Sequence, residues 1–171
     1  GAKLGVWSLT GGASFYQSDV RISNSRFANS HGEDALNIVH SKFSISDSII
    51  RGTASDAFDS DFSEGSVERS QFIDVGQAGG GDAVAVSGTV ITVSDSEFIR
   101  VNDKALSVGE ASAMVAANIR MTDVGTGAAA KDGSTLQIED AVINGAGFAG
   151  LTAYIKKVEY GPASVAASRV E

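Results

Sequence analysis

Apolar and polar residues alternate over short stretches, and the stretches return about every 22 residues. One unit reads Asp34-ALNIV, Asp56-AFDSD, Asp82-AVAVS, Lys104-ALSVG and Thr126-GAAAK. In it Leu36, Phe58, Val84, Leu106 and Ala128 align at one position, and Ile38, Ser60, Val86, Val108 and Ala130 align two residues on. A period of two marks a strand with one buried face. A second unit, apolar-x-x-Ser-x-apolar, spans Ile22–Phe27, Ile45–Ile50, Val67–Phe72 and Val93–Phe98, with weaker copies at Val115–Met121, Ile138–Ile143 and Val165–Val170. Its first position advances by 23, 22, 26, 22, 23 and 27 residues. The longer steps hold Gln77–Gly81 and Glu159–Pro162, turn residues placed where loops interrupt a regular frame.

Two or three short strands per period, abundant turns and no long amphipathic helix predict an all-β chain: a right-handed parallel β-helix of about seven coils with ~22 residues per coil. In such a solenoid each strand pairs with its copy one turn away, at roughly 4.8 Å, so equivalent residues stack. Phe27, Ile50, Phe72, Phe98, Met121, Ile143 and Val170 are expected to form one internal column. Ser25, Ser48, Ser70, Ser96, Asn118, Ala141 and Ser168 are expected to form another at a bend, each hydroxyl bonded to a neighbour. A β-sandwich has no need of a constant step, and the Leu-x-x-Leu-x-Leu pattern of leucine-rich repeats does not occur.

Composition narrows the partners. The 171 residues carry a net charge of −8, which disfavours nucleic acid and anionic membrane surfaces and leaves divalent cations and sugars open. Cysteine is absent, which removes disulfides, thiolate metal sites and thiol nucleophiles together. No apolar run is long enough for membrane insertion as a helix. The chain opens Gly1-Ala2 without methionine, and the expectation is a single domain, residues 1–171, excised from a longer chain.

The repeat resembles the parallel β-helices of the pectate-lyase-like superfold over nearly the whole chain. The stretches Asn102–Ser112, Lys131–Ser134 and Ala153–Pro162 are similar to segments of β-helix domains in large bacterial surface or secreted proteins, some of which accompany spore-coat-H-type kinase-like regions. The resemblance implies an extracellular or cell-surface scaffold, or a glycan-facing module. Enzymes of the superfold act on acidic polysaccharides by Ca²⁺-assisted β-elimination, hydrolysis or epimerisation, but no complete enzyme motif is present here, so no catalytic residue is carried over.

Several constellations bear on chemistry. Asp34, Asp56 and Asp82 stack in successive coils, with Lys104 next in line. Three carboxylates at that spacing either hold Ca²⁺ or accept turn N–H groups while Lys104 closes the ladder. Asp59 and Asp61 lie on the outward face of their strand, with Glu64 nearby. They are candidates for Ca²⁺, for an acid–base pair, or for an ordinary solvated face. Lys131, beside the stacked acids Glu110 and Asp132, is a candidate for neutralising a uronate or acting as a base; the alternative is simple pairing with those acids, shared with Lys156 and Lys157. His31 and His40 lack the spacing of a zinc site. Trp7 and Tyr16 are read as closing the N-terminal end, and the face carrying the acids reads as poor in aromatics, with Phe62 of undetermined direction. Arg69 is the nearest base in sequence to Asp59 and Asp61.

Taken together, these residues point to a non-catalytic scaffold or binding module for a polysaccharide, with Ca²⁺ on the acidic face. The alternatives are a polysaccharide lyase or hydrolase using Asp59, Asp61 and Lys131, and an assembly stalk that self-associates through its ends.

Overall fold

The protein is described by a computed structural model covering residues 2–4 and 7–171, with side chains given for Lys3 and from Leu9 onward. The expected role of Trp7 falls on a side chain outside those described. The chain is an all-β parallel solenoid of about six turns, about 23 residues each. Seven strands stack on its first face: Gly11–Tyr16, Asp34–Val39, Asp56–Asp61, Val84–Ser87, and residues 104–109, 126–131 and 149–154 of three long bent strands, Val90–Gly109, Ala113–Lys131 and Thr135–Tyr154. A second face runs from Val20–Ser23 to Ser164–Val170, and a third begins at Arg26–Ala28. Every pairing in this stack is parallel; among the described residues the one antiparallel pair joins Ala2–Leu4 to Trp7–Leu9. The turn count falls slightly below the expected seven because the last set of strands reaches the third face only at Val170.

Each corner is turned by a residue at positive φ. One corner, after the first face, uses Gln17, His40, Phe62, Gly88, Glu110 and Asp132. The next uses Asn24, Asp47, Arg69, Asp95, Asn118, Asp140 and Arg169. Asn and Asp suit this region because their short polar side chains bond locally. The tight bend then aims the following strand across the previous face, so three short strands close around one core.

That core follows the expected parity. The two first-face columns stack as read, with Leu36, Phe58, Val84, Leu106 and Ala128 all 0% exposed. The third-face column Phe27, Ile50, Phe72, Phe98, Met121 and Ile143 is also in register. Three expectations shift. Val115 points outward at 45% exposure, and Ala116 takes the inward place beside Val93 and Ile138. Val165 pairs with Leu136, leaving Ala167 opposite Ile138, so Val170 stacks on Ala141 and not on Ile143. Asn118 turns the corner and bonds Asp95, while Ile119 succeeds Ser96 and Val170 stands where Ser168 was expected. A small alanine satisfies the interior wherever neighbouring turns supply the bulk, so choosing a bulkier residue nearby as the inward one misplaces the register, by one residue at Val115 and by two at Val165.

The serine column is a hydrogen-bonded ladder. Ser25, Ser48 and Ser70 each donate their N–H to the next hydroxyl, at 3.1, 3.2 and 3.1 Å, and each hydroxyl donates back to the carbonyl two residues earlier. A second ladder, absent from the sequence reading, joins Ser18, Ser41, Ser63, Thr89, Ser112 and Ser134 at the bend after the first face. Its signal was a hydroxyl residue recurring at steps of 23, 22, 26, 23 and 22. Ser70→Ala strands the buried Ser48 N–H, which costs about 1–3 kcal/mol. The melting temperature followed by circular dichroism should fall by roughly 2–12 °C; an unchanged value would deny the ladder a stabilising role.

Candidate functional site

The outward residues of the first face form two columns. One runs Asn37, Asp59, Ala85, Ser107, Ala129, Thr152; the other runs Val39, Asp61, Ser87, Gly109, Lys131, Tyr154. Period-two alternation sets this direction, since Phe58 and Ser60 beside them point inward. In the middle turns the side chains are alanine, serine and glycine, which rise little above the backbone. The face is therefore a shallow trough, with carboxylates at one end and Lys131, Thr152 and Tyr154 at the other. Asp59 and Ser107 stand two strands apart, about 10 Å.

Charge is distributed unevenly along the trough. Burial first, then the negative charges of Asp61, Asp34 and Asp56, push the Asp59 carboxyl up to about 8, against a hydrogen bond from the Ser60 N–H. Asn37 donates from Nδ2 to its Oδ2 at 3.3 Å. Asp61 is raised by burial and by the neighbouring charge of Glu110, with His40 opposing. At the other end burial lowers Lys131, with Asp82 opposing and Lys104 reinforcing. The Lys131 side chain lies over Gly109, where a Cβ would come 3.5 Å from its Cε, and Nζ donates to Ser107 Oγ at 2.8 Å. Pairing with the stacked acids falls to Lys157, which bridges to Glu110; the N–H groups of Lys156 and Lys157 both donate to Asp132 Oδ1 at 2.6 Å. Burial opposes ionisation of Asp132, but those two N–H groups hold its carboxyl below the ordinary value.

The aspartate column borders the trough on one side. Asp34 stacks on Asp56; Asp56 Oδ1 accepts the Asp82 N–H at 2.8 Å, and Asp82 Oδ1 accepts the Lys104 N–H at 3.0 Å. Lys104 Nζ lies 3.2 Å from Asp82 and 2.5 Å from Asp103, closing the ladder. Burial raises Asp34, and it raises Asp56 to about 6, there joined by the charges of Asp82 and Asp34. Among the described residues no group of three or more His, Asp or Glu is arranged to hold a metal ion.

Arg69, the nearest base in sequence, sits on the far corner and pairs with Asp47 at 2.8 Å and Glu68 at 2.9 Å. The base that shares the face with Asp59 is Lys131, three turns on. The other edge of the trough carries rings on a face expected to be poor in aromatics: Phe62, whose direction the sequence left open, His40, and Tyr16, expected to close the N-terminal end. His40 and Phe62 are stacked with centroids 5.1 Å apart, and Tyr16 meets His40 edge-on at 5.9 Å. Their signal was positional: Tyr16 ends a first-face strand, and His40 and Phe62 each follow one by a single residue.

No protein-family model and no curated protein matches the chain. Among solved structures, it is similar to the catalytic unit of a thermostable GH87 alpha-1,3-glucanase from Streptomyces thermodiastaticus strain HF3-3. The alignment covers 95% of this chain and 49% of that one, at 11% identity and a TM-score of 0.28, so the chain spans about half the length of that protein. At these values the likeness bears on neither activity nor substrate.

Proposed function

We propose that the chain is a saccharide-binding solenoid whose first face seats a glycan chain, a module suited to a cell surface or a secreted protein. The observation that carries this is the trough itself. Between Asp59 and Lys131 its open floor is the half-buried pair Ala85 and Ser87, while Ser107 and Gly109 lie beneath the Lys131 side chain. A carboxyl held at about 8 keeps its proton at neutral pH, so Asp59 both donates and accepts, as sugar hydroxyls demand. Lys131, anchored on the buried Ser107 hydroxyl, supplies a further polar partner at the other end.

Calorimetric titration with a panel of neutral, amino and uronate oligosaccharides tests the reading. Asp59→Ala and Lys131→Ala should each weaken binding by about tenfold or more, and Arg69→Ala, on the far corner, should leave it unchanged. Equal affinities in all four proteins would sink the proposal. Repeating the titration in EDTA and in Ca²⁺ reads whether Asp59 and Asp61 take a cation with the glycan.

A catalytic reading has one observation in its favour: opposed shifts on one face, Asp59 upward and Lys131 downward, which is how acid and base are separated at neutral pH. Release of reducing ends or of unsaturated product from the same panel, abolished by Asp59→Ala, would support it.

A further inference from the structure

Phe62 is the anomaly of the fold. It is a bulky residue at φ 50, a backbone region that favours glycine and asparagine, and its side chain is 56% exposed. Its corner conformation is shared by Gln17, His40, Glu110 and Asp132 and is held by the Phe62 N–H donating to the Ser87 carbonyl at 2.8 Å, so what sets Phe62 apart is the exposed ring. What holds the ring is local. It stacks on His40, 16° from parallel, and its other neighbour in the corner column is Gly88. A Cβ at residue 88 would sit 2.6 Å from the Phe62 ring, so only glycine leaves the ring where it is. The column continues past Gly88 with Glu110, one turn further. The Phe62 ring thus lies over Gly88, with Asp61 just before it in the chain and the Glu110 carboxylate, bridged to Lys157, beyond Gly88 in the column. Phe62 and Glu110 lie two turns apart, about 10 Å.

The ring lines a recess of about 670 Å³ together with His40, Lys42, Glu64, Asp19, Gly88 and Val90, and Asp61 and Glu110 stand outside that lining, on the side of the first face. Val90 is 58% exposed, and Lys42 lies 3.7 Å from Glu64. A pyranose matches such a surface: its C–H face packs on a ring while its hydroxyls reach a polar rim. The charge on the rim selects among sugars. Asp19, Asp61, Glu64 and Glu110 outnumber Lys42 and Lys157, which are themselves paired with two of those acids. A uronate or sulfated sugar meets repulsion here. An ammonium meets carboxylates and, over the ring, the negative face of the π system.

We propose that Phe62, His40, Asp61 and Glu110 form a subsite at this corner for a hexosamine residue bearing a free amine, its ring stacked on the exposed side of Phe62 and its ammonium toward Asp61 and Glu110. This rests on the glycan-binding reading of the first face and extends it to a ligand class, a cationic glucosamine-type chain that enters the trough from this edge.

The test is calorimetric titration with glucosamine oligomers, their N-acetylated counterparts and oligogalacturonates. The wild-type protein should prefer the free-amine oligomer to both others. Phe62→Ala, at an exposed position, should keep the fold and weaken that binding by about tenfold. Asp61→Asn should remove the preference for the free amine over the acetylated chain while retaining part of the affinity. No preference for the free amine, or unchanged affinity in Phe62→Ala, overturns the subsite. If Asp59→Ala and Lys131→Ala weaken saccharide binding while Phe62→Ala does not, the trough stands and the subsite falls. If none of the sugars binds, both fall.

Discussion

Asp59→Asn should make the protein more stable at pH 8, by on the order of 5 kcal/mol, and change it little near pH 4. An unfolded aspartate releases its proton near 3.8, whereas folded Asp59 keeps it up to about 8. Between those values the folded chain binds a proton that the unfolded chain has lost. Stability therefore falls as pH rises from about 4 to about 8 and is level beyond. Burial is the main cause, and the negative charges of Asp61, Asp34 and Asp56 add to it. Asparagine has the same shape, can still accept from Asn37 and cannot ionise, so it abolishes this slope. Asp56, raised to about 6, leaves the variant a shallower fall confined to the lower part of the window. Melting curves across pH 4–9 would show the variant gaining roughly 10–20 °C at pH 8. Parallel curves for the two proteins would mean that Asp59 ionises freely in the fold. The same proton underlies the glycan-binding proposal, so this measurement tests its chemistry without needing a ligand.

Phe72→Ala should cost about 3–5 kcal/mol, the range for emptying a buried aromatic site. Phe72 and Phe98 are both 0% exposed and stack with centroids 5.0 Å apart, 6° from parallel. They belong to adjacent turns, so the pair ties two repeats together inside the core. A solenoid is held turn to turn, and a cavity in one interface weakens the contact of the turns on either side. Urea denaturation should show a lower midpoint, and heating a drop of roughly 6–20 °C. Combining Phe72→Ala with Phe98→Ala should cost less than the two changes separately, because the second truncation has no ring left to lose. Strict additivity would show that the rings act only through burial. If the alanine variant fails to accumulate, Phe72→Leu, which leaves a smaller void, carries the same comparison at smaller amplitude.

Much of the architecture was legible because a parallel solenoid repeats its own rules. A strand with one buried face needs period two, and stacking needs a near-constant step, so Leu36, Phe58, Val84 and Leu106 aligned before any coordinates. The ladder of Ser25, Ser48, Ser70 and Ser96 was legible for the same reason. Legibility failed where small residues fill the core. Ala116 looks like a poor interior residue beside Val115, yet it faces inward because Val93 and Ile138 occupy the neighbouring turns. The hydroxyl ladder from Ser18 to Ser134 went unread because no apolar pair frames it.

The stretch Asp56–Asp61 shows where the two sources of knowledge divide. Its sequence determined that Asp56 belongs to a turn column and that Asp59 and Asp61 share the outward face, since parity along a strand is a property of the chain alone. Which side chains meet across turns was decided only in three dimensions. Lys131 reaches back over Gly109 to Ser107, and Phe62 leans on His40 over the gap left by Gly88. Inward or outward direction follows from counting residues. The lean of a long side chain along the solenoid axis depends on the size of its neighbours one turn away, and those neighbours lie more than twenty residues off in sequence.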